Sequence, residues 1–104
     1  MPYVADTLRN FGLLYFTQDK ITQAHPYFEE EATIRRELWQ AYPELYAEKF
    51  FANLALNALT LPSEDTETRC ALLKEAWQVA PSEELKTMVL DEDSEQGGHC
   101  KLQD

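Results

Sequence analysis

Apolar positions recur at helical spacing almost from the first residue of this chain. Leu8, Phe11, Gly12 and Tyr15 fall at i, i+3, i+4 and i+7, the period of one buried helix face, and predict a helix from about Tyr3 to Phe16. Thr17-Gln18-Asp19 reads as a turn, with Asp19 placed to cap the next helix. A second stripe, Ile21, Ala24, Phe28 and Ala32, predicts helix from about Lys20 to Ala41, with Ile34 and Leu38 on a neighbouring face. Pro26 lies in its second turn, where it removes one backbone donor and bends the helix rather than ending it. Pro43 stops this segment and opens a third helix, about Glu44 to Leu59, with Phe51, Leu54, Ala55 and Ala58 inward. Thr60-Leu61-Pro62-Ser63 breaks the chain, and Ser63 is the expected N-cap of a fourth helix, about Glu64 to Val79. That helix carries Arg69, Leu72, Leu73, Ala76, Trp77 and Ala80 on one face. After Pro81-Ser82, residues Glu83 to Leu90 form a short fifth helix. From Asp91 onward, DEDSEQGGHCKLQD holds acids, two glycines and almost nothing apolar, and reads as a flexible tail. β-Branched residues are sparse and glycine occurs only at positions 12, 97 and 98, so the chain is all-α with few hairpin-type turns.

The pattern returns. Leu8-Arg9-Asn10-Phe11-Gly12-Leu13 aligns with Phe51-Ala52-Asn53-Leu54-Ala55-Leu56 under the 43-residue shift that carries Asn10 onto Asn53, and Tyr3 then falls on Tyr46. Gly12 falls on Ala55, so a small residue recurs where a large one would suit a helix equally well. Glycine costs about 1 kcal/mol against alanine inside a helix. Close approach of a neighbouring helix is the gain that offsets it.

These residues resemble the tetratricopeptide repeat family. The first copy carries the motif on Leu8, Phe11, Gly12, Tyr15, Ala24 and Phe28; the second carries it on Phe51, Leu54, Ala55, Leu73, Ala76 and Pro81. The family's usual repeat is about 34 residues. The longer spacing here, with Ala24 to Phe28 and Ile34 to Leu38, looks like the longer repeats typified by kinesin light chain. The resemblance implies antiparallel helix pairs in an α-solenoid type of array over residues 1–90, about two repeats with the fifth helix as a cap, and leaves 91–104 as the acidic tail. Glu31 and Arg69 depart from it, since each occupies a position where the family prefers a small residue; a packing shift that exposes Glu31 is expected. The turn at Gln18-Asp19 lacks the usual glycine.

In this family the first helices of successive repeats line a concave groove that takes a peptide or helix. Carried over by position, the partner-binding side is Asp6, Arg9, Asn10, Leu13 and Phe16, followed by Lys49, Ala52, Asn53, Leu56 and Leu59. Asn10 and Asn53 look like the family's groove asparagines, whose carboxamides grip a peptide backbone through donors and an acceptor. Leu13, Phe16 and Leu56 add an apolar strip suited to a partner helix. Arg9 and Lys49 offer charge to a carboxylate, but Leu13 stands where a clamp for acidic C-termini would want another asparagine. Tyr15, Phe28 and Trp77 are expected in the core, and Trp39, Tyr42 and Tyr46 near the bend between repeats.

Charge narrows the partners. Nineteen acids against nine bases give a net charge of −10, which disfavours nucleic-acid binding and adsorption to anionic membranes. A basic protein partner suits it better. No apolar run approaches the roughly 18 residues that span a bilayer, and no signal peptide is discerned. Cys70 and Cys100 stand apart without metal-type or redox-type spacing, so a reducing cytoplasm is the simplest setting. Glu29-Glu30-Glu31 followed by Arg35-Arg36 reads as a solvated helix face laced by weak i, i+4 pairs. His25 reads as a partly exposed helix residue, and adjacent His99-Cys100 define no metal site. No P-loop, serine elbow, HExxH or paired-cysteine motif is present. The expectation is a non-catalytic protein-interaction or scaffold module without a cofactor. A homodimer built on the same apolar face, or on an uncovered end repeat, is the alternative. Met1 and the polar tail read as natural ends.

Overall fold

The computed structural model describes residues 2–62, 64–98 and 100–102. Among them the chain forms five helices and no strand: α1 Pro2–Thr17, α2 Ile21–Ala41, α3 Pro43–Leu59, α4 Thr66–Val79 and α5 Glu83–Glu95. Each helix packs on the next in sequence, and the α4–α5 contact is the sparsest of the four.

The connections follow from local chemistry. After α1, Asp19 takes a left-handed conformation (φ 61°), a position usually given to glycine, and Lys20 N–H donates back to Tyr15 O at 2.9 Å. Asp19 thus closes α1 and does not cap α2, whose N-cap Lys20 has no side-chain cap bond. Between α2 and α3 stands a single residue, Tyr42, kept out of helical geometry by the following Pro43. Asp65 caps α4 by accepting from Thr68 N–H at 3.3 Å, and Ser82 caps α5 by accepting from Leu85 N–H at 3.2 Å. The expected cap Ser63 lies outside the described residues, as does His99. Helix α2 continues through Pro26.

Gly12 does what its repeat position suggested. The ring of Phe28, fully buried on α2, lies so close that a Cβ on residue 12 would sit 2.6 Å from Phe28 Cε1. Ala5, Ala24 and Ala32 are buried as well. Tyr15 and Trp77, expected in the core, are only partly buried. Tyr15 and Phe11 flank Tyr27, with ring centroids 5.6 and 5.7 Å from it.

The main apolar core sits in the other half. Phe50, Phe51, Leu54 and Ala58 of α3 meet Leu73, Ala76 and Val79 of α4 and Val89 of α5. Leu102 completes it, at 4% exposure. Residues 91–98 and 100–102 of the stretch expected to be a flexible tail therefore belong to the fold: α5 runs on to Glu95, and the chain then turns at Gly97 and Gly98, both at positive φ. Gly98 N–H and Cys100 N–H donate to the main-chain and side-chain oxygens of Asp93, at 2.8 and 3.2 Å. Cys100 is joined to Cys70 of α4 by a disulfide. The pairing removes the premise of isolated thiols on which a reducing cytoplasm was expected. No described helix is long and apolar enough to cross a membrane.

Candidate functional site

Three of the residues assigned to the concave face, Asp6, Arg9 and Asn53, do come together, but around a buried carboxylate rather than in an open groove. Its centre is Glu31, which is fully buried, contrary to the expectation that it would be pushed to the surface. Arg35, one turn further on α2 and 1% exposed, donates through Nε to Glu31 Oε2 at 2.8 Å and through Nη2 to Asp6 Oδ1 at 2.9 Å. Arg9 Nε lies 3.2 Å from the same Glu31 oxygen without aligned hydrogen-bond geometry, and Arg9 Nη2 donates to Lys49 O of α3 at 3.2 Å. From α3, Asn53 Nδ2 donates to Glu31 Oε1 (2.8 Å) and to Phe28 O (2.9 Å). Asn57 Nδ2 donates to Phe28 O (3.0 Å) and to Asn53 Oδ1 (3.1 Å).

Two carboxylates and two guanidiniums balance one another in this network, which is how charge survives burial. The hydrogen bond from Arg35 holds the Asp6 carboxyl below the usual carboxylate range, although the Asp6 side chain is itself half exposed. For Arg35, burial acts against the charge more strongly than any other single influence. Its bonds to Asp6 and Glu31 together still raise its pKa. The joint between the first helix pair and α3 is therefore polar at its centre.

Asn53 is thus corrected from a partner-binding residue to a buried structural one. Asn10, its repeat counterpart, is exposed, as is Lys49; Leu13, Phe16 and Leu56 are half-buried. The acidic run on α2 is not uniformly solvated either. Arg36 reaches past α3 to grip Glu75 of α4 with two bonds of 2.7 and 2.8 Å, its guanidinium 5.4 Å from the Phe50 ring centre. Arg69 of α4 is buried. His25 is half-buried with Nδ1 2.7 Å from Thr60 Oγ1.

Open surface lies further along α3. Leu45, Glu48, Ala52, Ala55 and Leu59 follow one another at three- and four-residue steps. The N-terminal part of this stripe shares a shallow depression with Arg9. The C-terminal part forms one wall of an apolar cleft of about 180 Å³, floored by Phe51, Ala58, Leu73 and Ala76 and closed on its far side by Met88, Val89 and Glu92 of α5. The alanines are the reason for the cleft: three methyl-sized side chains stand where α3 and α4 meet α5, and nothing fills the space they leave. Leu59 and Met88 are both more than half exposed at its rim.

The α5 wall is acidic. Glu84, Met88, Glu92 and Glu95 lie on one face at i, i+4, i+8 and i+11, and the basic residue of this helix, Lys86, is turned onto the Trp77 ring at 4.7 Å. Of the cleft residues, the sequence pointed to Leu59 by repeat position and to Ala55 as a recurring small residue. Met88 and Glu92 were missed, because helix five read as a cap rather than a wall. The signal that could have found them is the four-residue step from an exposed methionine to a glutamate.

Among the described residues, no group of three His, Cys, Asp or Glu side chains is placed to hold a metal ion. No family model, curated protein or solved structure matches the chain.

Proposed function

We propose that the protein is a non-catalytic interaction module, an array resembling two tetratricopeptide repeats and a third, partial one, that binds a cationic amphipathic segment of another protein along α3 and α5. The observation that carries this reading is the apolar cleft with an acidic wall on a chain of net charge −10. A leucine- or phenylalanine-sized side chain would enter between Ala55, Leu59 and Met88, while Lys or Arg on the same segment meets Glu92 and its neighbours. Links between helices one apart support the array: Arg9 of α1 bonds α3, Arg36 of α2 bonds α4, and α3 and α5 share the cleft. The register-setting role first given to Asn10 and Asn53 falls away in this reading, because Asn53 is buried and Asn10 lies on α1, outside the cleft lining.

Calorimetric titration with two synthetic helical peptides tests this, one of leucine and lysine and one of leucine and glutamate at the same spacing. The lysine peptide binds and weakens as salt rises; the glutamate peptide does not bind. Ala55→Phe, which fills the cleft, abolishes binding. Equal affinity of native and Ala55→Phe protein for the lysine peptide overturns the reading.

A second reading rests on the outer face of α1. Tyr3, Val4, Phe11 and Leu14 are all substantially exposed there, and self-association would cover them. Sedimentation of the native chain against Phe11→Glu separates the two, since only self-association makes the native mass depend on residue 11. The disulfide supports an oxidising compartment, or one whose redox state varies, as the working setting in this reading.

A further inference from the structure

We propose that the Cys70–Cys100 disulfide is a redox latch that keeps α5 in place as the wall of the cleft. The inference rests on the cleft being the binding site, and it follows from how much of this helix's anchorage lies in the chain beyond it. Of the four contacts between successive helices, that of α5 on α4 is the sparsest; Val89 and Asp93 are its buried residues, Leu85 and Leu90 pack partly buried against the core, and Lys86 lies over the Trp77 ring. Much of its anchorage comes from the chain beyond it. Asp93 receives the Gly98 and Cys100 amides, Leu102 enters the core beside Val89, and Cys100 is bonded to α4.

These attachments depend on one another. Gly97 and Gly98 both sit at positive φ, so the turn that returns the chain to α4 is made of the residues that lose most conformational freedom on ordering. Burial of one leucine side chain does not offset the ordering of Gly97, Gly98 and residues 100–102. The covalent bond makes that return obligatory by closing a loop of 30 residues. Both cysteines are partly exposed, within reach of a small thiol.

The step is ordinary thiol–disulfide exchange. A dithiol reductant gives up two electrons and two protons, the S–S bond opens to two thiols, and the dithiol closes to its own disulfide. Released, Leu102 leaves the core and Asp93 loses the Cys100 amide. Met88, Val89 and Glu92 are then no longer fixed opposite Ala55 and Leu59. Exchange with a small-molecule disulfide, which accepts the two electrons and two protons and leaves as two thiols, re-forms Cys70–Cys100 and restores the wall, so partner binding follows redox state.

Hydrogen exchange on the native chain, oxidised and then treated with dithiothreitol, tests the latch, with titration of the leucine–lysine peptide run in parallel. On reduction, exchange in α5 accelerates at least tenfold, exchange in α1 and α2 stays unchanged, peptide affinity falls at least tenfold, and reoxidation reverses all changes. Cys70→Ser/Cys100→Ser reproduces the reduced state without reductant. Unchanged α5 exchange overturns the latch. Loss of protection throughout the chain also overturns it, because the bond would then staple the whole fold rather than gate one wall. Loosened α5 with unaltered peptide affinity overturns its control of binding. A peptide that binds neither form refutes the cleft as the site for such a segment, while α5 exchange still decides whether the bond holds the wall.

Discussion

Replacing Gly12 with alanine sets two opposed effects against each other, and the structure decides the winner. Alanine is favoured over glycine in a helix interior by about 1 kcal/mol, so an unobstructed Gly12→Ala should stabilise the chain by about that much. The added Cβ, however, would meet three atoms of the Phe28 ring at 2.6, 2.8 and 2.9 Å. Ordinary carbon contacts lie at about 3.5–4.0 Å, so ring or helix must retreat by about 1 Å. Phe28 has no free side to move into: it is fully buried, and its carbonyl accepts from both Asn53 and Asn57. Overpacking of this kind costs about 1–3 kcal/mol, and three simultaneous clashes place Gly12 in the upper part of that range. The expected net effect is a loss of about 1–2 kcal/mol, or a fall in Tm of roughly 4–16 °C at about 4–8 °C per kcal/mol for a domain of this size. Urea unfolding followed by circular dichroism measures it. Phe28→Leu supplies the control, because removing the ring should turn Gly12→Ala from destabilising to stabilising in the double-mutant cycle. A Gly12→Ala variant more stable than the native chain would refute the close approach as the reason for the glycine.

Three further outcomes are expected. Glu31→Ala leaves the buried Arg35 facing a half-exposed Asp6 alone and should cost about 3–5 kcal/mol, whereas Glu75→Ala, at a pair still partly in solvent, should cost at most about 1 kcal/mol; urea midpoints of the two compare them. Asn53→Ala removes bonds to the Glu31 carboxylate and the Phe28 carbonyl and should cost about 2–3 kcal/mol, while Asn10→Ala on the exposed face should stay within about 0.5 kcal/mol, so equal effects in thermal melts would contradict the buried network. The Arg35 bond lowers the Asp6 pKa in the fold, so as pH falls the unfolded chain takes up this proton first. The Asp6 contribution is whole above about pH 4 and is lost as pH drops through the lower folded value. Asp6→Asn should therefore flatten stability against pH below about 4, and parallel native and variant curves would count against the bond.

Helix positions were legible because periodicity and punctuation are local. Five apolar segments separated by the Thr17–Asp19 turn and by Pro43, Pro62 and Pro81 give five helices, with α5 longer than its apolar pattern because Asp91 to Glu95 continue a helix that Ser82 starts. Gly12 was legible for the same reason, as a small residue that recurs one repeat later. The resemblance supplied a face for binding and placed Leu59 on it, but it put Asn53 there too. Which way Asn53 turns depends on Glu31, and no pattern within α3 reports a carboxylate on α2.

The sequence by itself determined the all-helical class, the approximate bounds of each helix, the acidic surface and the glycine at the α1–α2 contact. All of these follow from spacing, composition or backbone chemistry within a few residues. Only the tertiary structure decided that the Glu31 carboxylate is buried among Arg9, Arg35 and Asn53, that Cys70 and Cys100 are bonded, that Leu102 completes the core, and that an apolar cleft opens where Ala55, Ala58 and Ala76 face Met88 and Val89. Each of these joins residues from different helices. Charge compensation, disulfide closure and unfilled volume are properties of pairs brought together by packing, and a chain read in order carries no direct signal for them.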